Sequence, residues 1–172
     1  MPRIDIQYSS HTFEFRSKFP KLHMPPYPVA SPDIVNFEHA SHLVDGEHVA
    51  LVDGKITKIT AGNLAGLTAG RIFVFHGQPG RSDLAVAQAG PIVMDDDFEA
   101  DTRLIDQANP QNYVEGTRLK VGIVTFPKAG TAGLVPANAG DEYVATQIGA
   151  PVEGTDGNVW VRVMYSKGAR PA

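Results

Sequence analysis

From Val44 to Tyr165 the apolar residues fall in short, mostly alternating runs, each broken by glycine, proline or Asp-Gly. That is the pattern of half-buried strands joined by tight turns. Residues 47–52 and 55–60 flank Asp53-Gly54, a pair that tolerates the positive φ of a hairpin, so they are predicted as paired strands. Ile56 and Ile59 have opposite parity, which leaves a bulge or a three-residue loop as open as a two-residue turn. Residues 71–75 are apolar on both faces, as a central strand is. Residues 84–88 and 91–94 read as short strands around Gly90, with Ser82 as an alternative cap for a brief helix. Residues 119–126 and 143–148 continue the series. Residues 158–165 close it, with Val159, Val161, Val163 and Tyr165 on one face and Trp160, Arg162 and Met164 on the other.

Leu-Val-Asp-Gly occurs twice, at 43–46 and 51–54, and Asp-Gly a third time at 156–157. The spacing is too short for a solenoid unit and the tetrapeptide has no third copy, so the repeat is assigned to turn chemistry around one strand and not to a ligand loop.

The chain before residue 43 follows neither period, apart from a short alternating piece at 12–16. Pro20, Pro25, Pro26, Pro28 and Pro32 crowd into it, and proline holds itself and its predecessor in extended conformations. Residues 1–42 are therefore expected to form an extended arm whose anchors are Phe13, Phe15, Phe19, Leu22, Met24 and Tyr27. So many apolar side chains suit an arm lying on a surface, either its own domain's or a neighbour's. Residues 43–168 are expected as one β-rich domain and 169–172 as a tail. The predicted fold class is all-β: a sandwich or barrel of short antiparallel strands behind a Pro-rich arm.

Composition narrows the function. With 172 residues, 42% hydrophobic and 20% charged, the chain is long enough for one domain with a real core. The 17 glycines and 13 prolines disfavour long helices. A net charge of -4 argues against nucleic-acid binding, which needs clustered Lys and Arg. No run of apolar residues is long enough to span a membrane, and the first residues lack the apolar core of a signal peptide. Cysteine is absent, which removes disulfides, thiolate metal sites and cysteine nucleophiles.

Candidate chemistry is sparse. The acidic run Asp95, Asp96, Asp97, Glu99 and Asp101 could offer oxygen ligands to Ca²⁺ if extended, but Ala100 and Asp106 stand where an EF-hand loop needs Gly and Glu. A solvated loop or charged strand edge is the preferred reading. His39 and His42 could share one face of a helical turn, but a metal would need a third ligand and, with His48, the spacing matches no zincin pattern; histidines in a linker and a strand edge are the preferred reading. His76, Ser82 and Asp83 invite a triad, yet triad partners normally come from separate elements. The glycine-rich stretch 128–133 lacks the ending of a phosphate-binding loop and reads as a turn or flexible loop. Trp160, inside an alternating strand, is assigned to sheet or interface packing and not to sugar stacking. No catalytic, cofactor or metal residue is assigned.

The hairpin GEHVALVDGKITKI, the strand EGTRLKVGIVTF and the closing pair GDEYVATQIGAPVEGTDGNVWVRVMY resemble the head decoration (cement) proteins of tailed bacteriophages, over roughly residues 44–166. The resemblance is one of strand-and-turn style. It implies a non-enzymatic virion protein on the capsid surface, assembled in the host cytoplasm. Its partners would be the major capsid protein, bridged subunit to subunit, and other copies of itself, with the arm as the contact element. The competing expectation is a carbohydrate-binding β-module of a tail or surface assembly, which would show several exposed aromatic rings in one groove.

Overall fold

Every second residue of the closing strand points the same way, and that alternation sets the largest sheet. The computed structural model describes residues 12–15, 27–28, 43–75, 88–89, 91–92 and 98–166. In chain order its elements are β1 (Phe13–Phe15), β2 (Tyr27–Pro28), β3 (His48–Val52), β4 (Lys55–Lys58), the single-turn helix α1 (Ala61–Leu64), β5 (Ile72–Phe75), β6 (Gln88–Ala89), β7 (Pro91–Ile92), β8 (Phe98–Thr102), β9 (Arg118–Val124), β10 (Thr131–Pro136), β11 (Ala145–Gln147), β12 (Val152–Glu153) and β13 (Val159–Tyr165). The chain is all-β, as its pattern predicts, with every strand pair antiparallel.

Seven strands form the larger sheet, in the order β1-β8-β13-β11-β9-β10, with β12 paired to β13 off that path. The smaller sheet runs β4-β3-β5-β7, and β2 pairs with β6 alone. Val161, Val163 and Tyr165 of β13 are fully buried together with Ala100 of β8, Leu119 of β9 and Leu134 of β10. Ala50, Ile72 and Val74 of the smaller sheet enter the same cluster, so the two sheets share one core. The opposite face of the smaller sheet carries Val49, Ile56 and Phe75, which gather with Leu43 into a second cluster. Two-sided burial explains why residues 72–75 are apolar throughout.

The hairpin ambiguity resolves to the shortest turn. Val52 pairs with Lys55, and Asp53 and Gly54 have φ of 50° and 72°, the signature of a type I′ turn. Ile56 and Ile59 differ in parity because β4 has ended before Ile59; the first belongs to the second cluster and the second to the shared core.

Two strands lie in stretches that the sequence assigns to a turn or loop or, for the acidic run, to a solvated loop or charged strand edge. The second half of the acidic run is β8: Phe98, Ala100 and Thr102 face inward, while Asp101, on the other face, is held by Arg162 of β13 through Nε–Oδ1 and Nη2–Oδ2 contacts of 2.9 and 3.3 Å. The glycine-rich stretch 128–133 turns only as far as Gly130 and then becomes β10. Its Gly133 is required by packing, since a Cβ there would lie 2.3 Å from the Leu104 carbonyl oxygen.

The arm is not separate along its whole length. Residues 13–15 pair with β8, Phe13 opposite Thr102, and the Phe13 side chain is 1% exposed in the shared core. Phe13, expected as an anchor for a partner, is thus packed against its own domain, because the edge of β8 and the turn at Gly46 leave a pit of its size. Phe15 and Tyr27 are placed by their backbones in β1 and β2; Phe19, Leu22 and Met24 lie outside the described residues, as does the tail at 169–172.

Candidate functional site

Where a sheet ends, its outward N–H and C=O groups need partners, and β10 is such an edge. The partners it finds are the most concentrated polar chemistry among the described residues. The Ala132 N–H donates to Glu47 Oε1 at 3.2 Å, and the Ala132 carbonyl lies 2.9 Å from His48 Nδ1. Two residues along, the Leu134 N–H donates to the Leu104 carbonyl at 2.7 Å, and the Leu134 carbonyl accepts from the Tyr113 hydroxyl at 2.8 Å. A parallel bridge between Ile105 and Leu134 accompanies this contact, so the chain leaving β8 curls the large sheet toward closure.

Glu47 and His48 meet β10 because they lie just before and at the start of β3, the strand that brings the smaller sheet across the core. Glu47 is fully buried, as is the His48 ring. Glu47 Oε2 accepts from the Val44 N–H at 2.9 Å, and Oε1 is also paired with the Lys58 ammonium from the neighbouring strand. A carbonyl can only accept, so His48 must carry its proton on Nδ1. Its Nε2 is then the acceptor for the Tyr165 hydroxyl, 2.9 Å away. Burial lowers the His48 pKa to about 4, against a smaller upward pull from the Ala132 carbonyl, so the ring is neutral. Burial raises the Tyr165 phenol, whose ring stacks on Phe98 at 4.7 Å between centroids. Tyr113 is likewise pushed up to about 12 by burial; its oxygen also accepts from the Asp106 N–H at 2.9 Å. Lys128 is lowered, first by burial and then by Lys58, with Glu47 opposing.

A second group sits beyond β8. Arg103, 1% exposed, lies 4.9 Å from the centroid of Phe126 and 5.2 Å from that of Trp160, and it pairs with Asp156 of the third Asp-Gly turn. Gln107 ties the same region to β13: its Oε1 accepts from the Val159 N–H at 2.8 Å and its Nε2 donates to the Val159 carbonyl at 2.9 Å. Trp160 is therefore half-buried over a cation, in the packing role its strand position implied.

Both groups fasten elements together. His48 has no serine or cysteine hydroxyl or thiol on either ring nitrogen, and its one hydroxyl partner, Tyr165, is as buried as it is. Among the described residues no cluster of three or more His, Asp or Glu side chains is arranged to hold a metal ion. His39 and His42, His76, Ser82 and Asp83, and Asp95 to Asp97 lie outside the described residues. The large exposed hydrophobic residues among those described are Val52, Val114 and Val152, none of them aromatic. No helix among them is long and apolar enough to cross a membrane.

In the sequence His48 stands close to His39 and His42, with Glu47 beside it, and nothing there marks Tyr113 or Arg103. The one available signal was Glu47-His48 itself, two polar residues opening an otherwise apolar strand. Comparison with protein-family models, with curated proteins and with solved structures finds no match.

Proposed function

We propose that this chain is a structural assembly protein that binds the outer surface of a bacteriophage capsid and stabilises it by bridging major capsid subunits. One observation carries most of the weight: an N-terminal strand that completes a sheet edge and seats a phenylalanine in a pit. Edge completion by an extended segment is a general mode of joining proteins, since main-chain bonds give affinity and side-chain pockets give specificity. The polar groups described above favour the same reading, because they are spent on internal contacts. A cement protein needs a stiff body and an adhesive arm, and many weak contacts on one shell add up by avidity.

The test is co-sedimentation with a panel of undecorated shells from tailed phages. Wild-type protein is compared with a variant carrying Phe19→Ala, Leu22→Ala and Met24→Ala, which leaves β1 intact. Saturable binding by the wild type, weakened at least tenfold in the variant, is the expected outcome. A folded wild type that binds none of the shells overturns the proposal.

A further inference from the structure

We propose that the slot filled by residues 12–15 is a strand-acceptor site, and that in the assembled protein it takes these residues from a second copy of the chain.

Every contact that defines the slot joins residues 12–15 to the body. The Thr12 carbonyl accepts from the Arg103 N–H at 3.0 Å, and the Thr12 hydroxyl donates to the Asp45 carbonyl at 2.6 Å. Phe13 fills the pit at Gly46, where a Cβ would stand 2.4 Å from the Phe13 Cβ. Gly46 cannot retreat, because its N–H is bonded to the Phe75 carbonyl at 2.8 Å and its φ is +82°. None of these contacts depends on which copy supplies the strand, the condition under which exchange of an identical element is a low-cost route to oligomers.

Two features favour exchange. First, the ladder is short and imperfect. β1 has three residues and sets Glu14 directly opposite Asp101, a like-charge pair eased by Arg162 in the next strand of the row. Like charges directly across a sheet weaken the pairing. The strand is therefore held by Phe13 and the two Thr12 hydrogen bonds more than by its ladder. Second, the strand is tethered through a stretch containing Pro20, Pro25 and Pro26, and the next element, β2, is anchored separately through β6. Residues 16–26, fully extended, would span on the order of 40 Å, comparable with the width of a domain of this size. A neighbouring copy is within reach while β2 keeps its own pairing.

Strand exchange rests on the self-association that the resemblance to capsid decoration proteins implies, and the experiment separates the two. The chain has no cysteine, so introduced thiols report unambiguously. Directly opposed residues on antiparallel strands lie at disulfide-forming separation. A Glu14→Cys chain and an Asp101→Cys chain are unfolded together, refolded together, mildly oxidised and run on a non-reducing gel. A disulfide between these variants can form only across two copies. The control pairs Glu14→Cys with Val114→Cys, an exposed position outside the slot. Exchange predicts a cross-linked heterodimer at least tenfold above the control. The double variant Glu14→Cys/Asp101→Cys should give linked dimers or higher species in proportion to concentration. Heterodimer at control level, with the double variant closing only within single chains, overturns exchange. If light scattering then still finds an oligomer, self-association by another surface stands; a monomer at every concentration removes both. Circular dichroism of each variant confirms that the fold is retained.

Discussion

Gly46 and Gly54 end identical Leu-Val-Asp-Gly tetrapeptides, yet only one of them is confined by packing. Around Gly54 nothing lies within 4 Å of an added Cβ, and its role is the positive φ of a two-residue turn. Gly46 also has a positive φ, but it forms the floor of the pit for Phe13. His48 shows the same dependence on context. Its unfolded pKa is near 6.5 and its folded pKa about 4, so protonation favours the unfolded chain. The stability it contributes is complete above pH 6.5 and is lost as the pH falls from there toward 4. A shift of that size corresponds to roughly 3 kcal/mol. Urea unfolding at pH 7, 5 and 4 should show this loss in the wild type. In His48→Gln it should start from lower stability at pH 7 and fall less steeply. Parallel slopes for the two proteins would show that the ring does not titrate across folding. Tyr165→Phe should cost about 1–3 kcal/mol at pH 7, because it leaves the buried Nε2 acceptor without its donor.

Among the elements, β1 and β10 were the least legible and the most consequential. β10 begins inside a Lys-Ala-Gly-Thr-Ala-Gly run whose glycines read as flexibility. Gly130 instead supplies the positive φ of the turn, and Gly133 allows close approach to the Leu104 carbonyl, as Gly122 of the paired strand does to Val135. β8 was only half legible, because a charge row fits a solvated loop or a charged strand edge until Arg162 is known to lie beside it in an inner strand pair. β1 was visible as a short alternation, but its partner was not, since strand pairing across some ninety residues leaves no local mark. Its weight can be measured. Phe13→Ala should destabilise the protein by about 3–5 kcal/mol, the usual cost of emptying a buried phenylalanine site. Chemical denaturation of the variant checks this, and a loss below about 1 kcal/mol would mean that the side chain is not held in the core in solution. Deleting the whole arm would incur the same cost, so a shortened protein should keep residues 12–15.

At the scale of the molecule, the two sheets share one cluster, and the β10 edge is bonded by residues that begin the smaller sheet. They should therefore unfold together. Trp160 is the chain's one tryptophan and lies in the large sheet, so its fluorescence reports that sheet, while far-UV circular dichroism reports both. The two denaturation curves should coincide; a separate early transition seen by circular dichroism alone would mean that the smaller sheet opens independently. Period-two alternation, Asp-Gly turns and frequent glycine and proline determined by themselves that the chain is all-β and where most of its strands run, because those signals are local and follow from backbone geometry. The tertiary structure decided which strands are neighbours, that Phe13 belongs to the core, and that Glu47, His48 and Tyr113 bond a strand edge. Those outcomes depend on contacts between residues far apart in sequence, where burial and hydrogen-bond satisfaction select partners that no local pattern encodes.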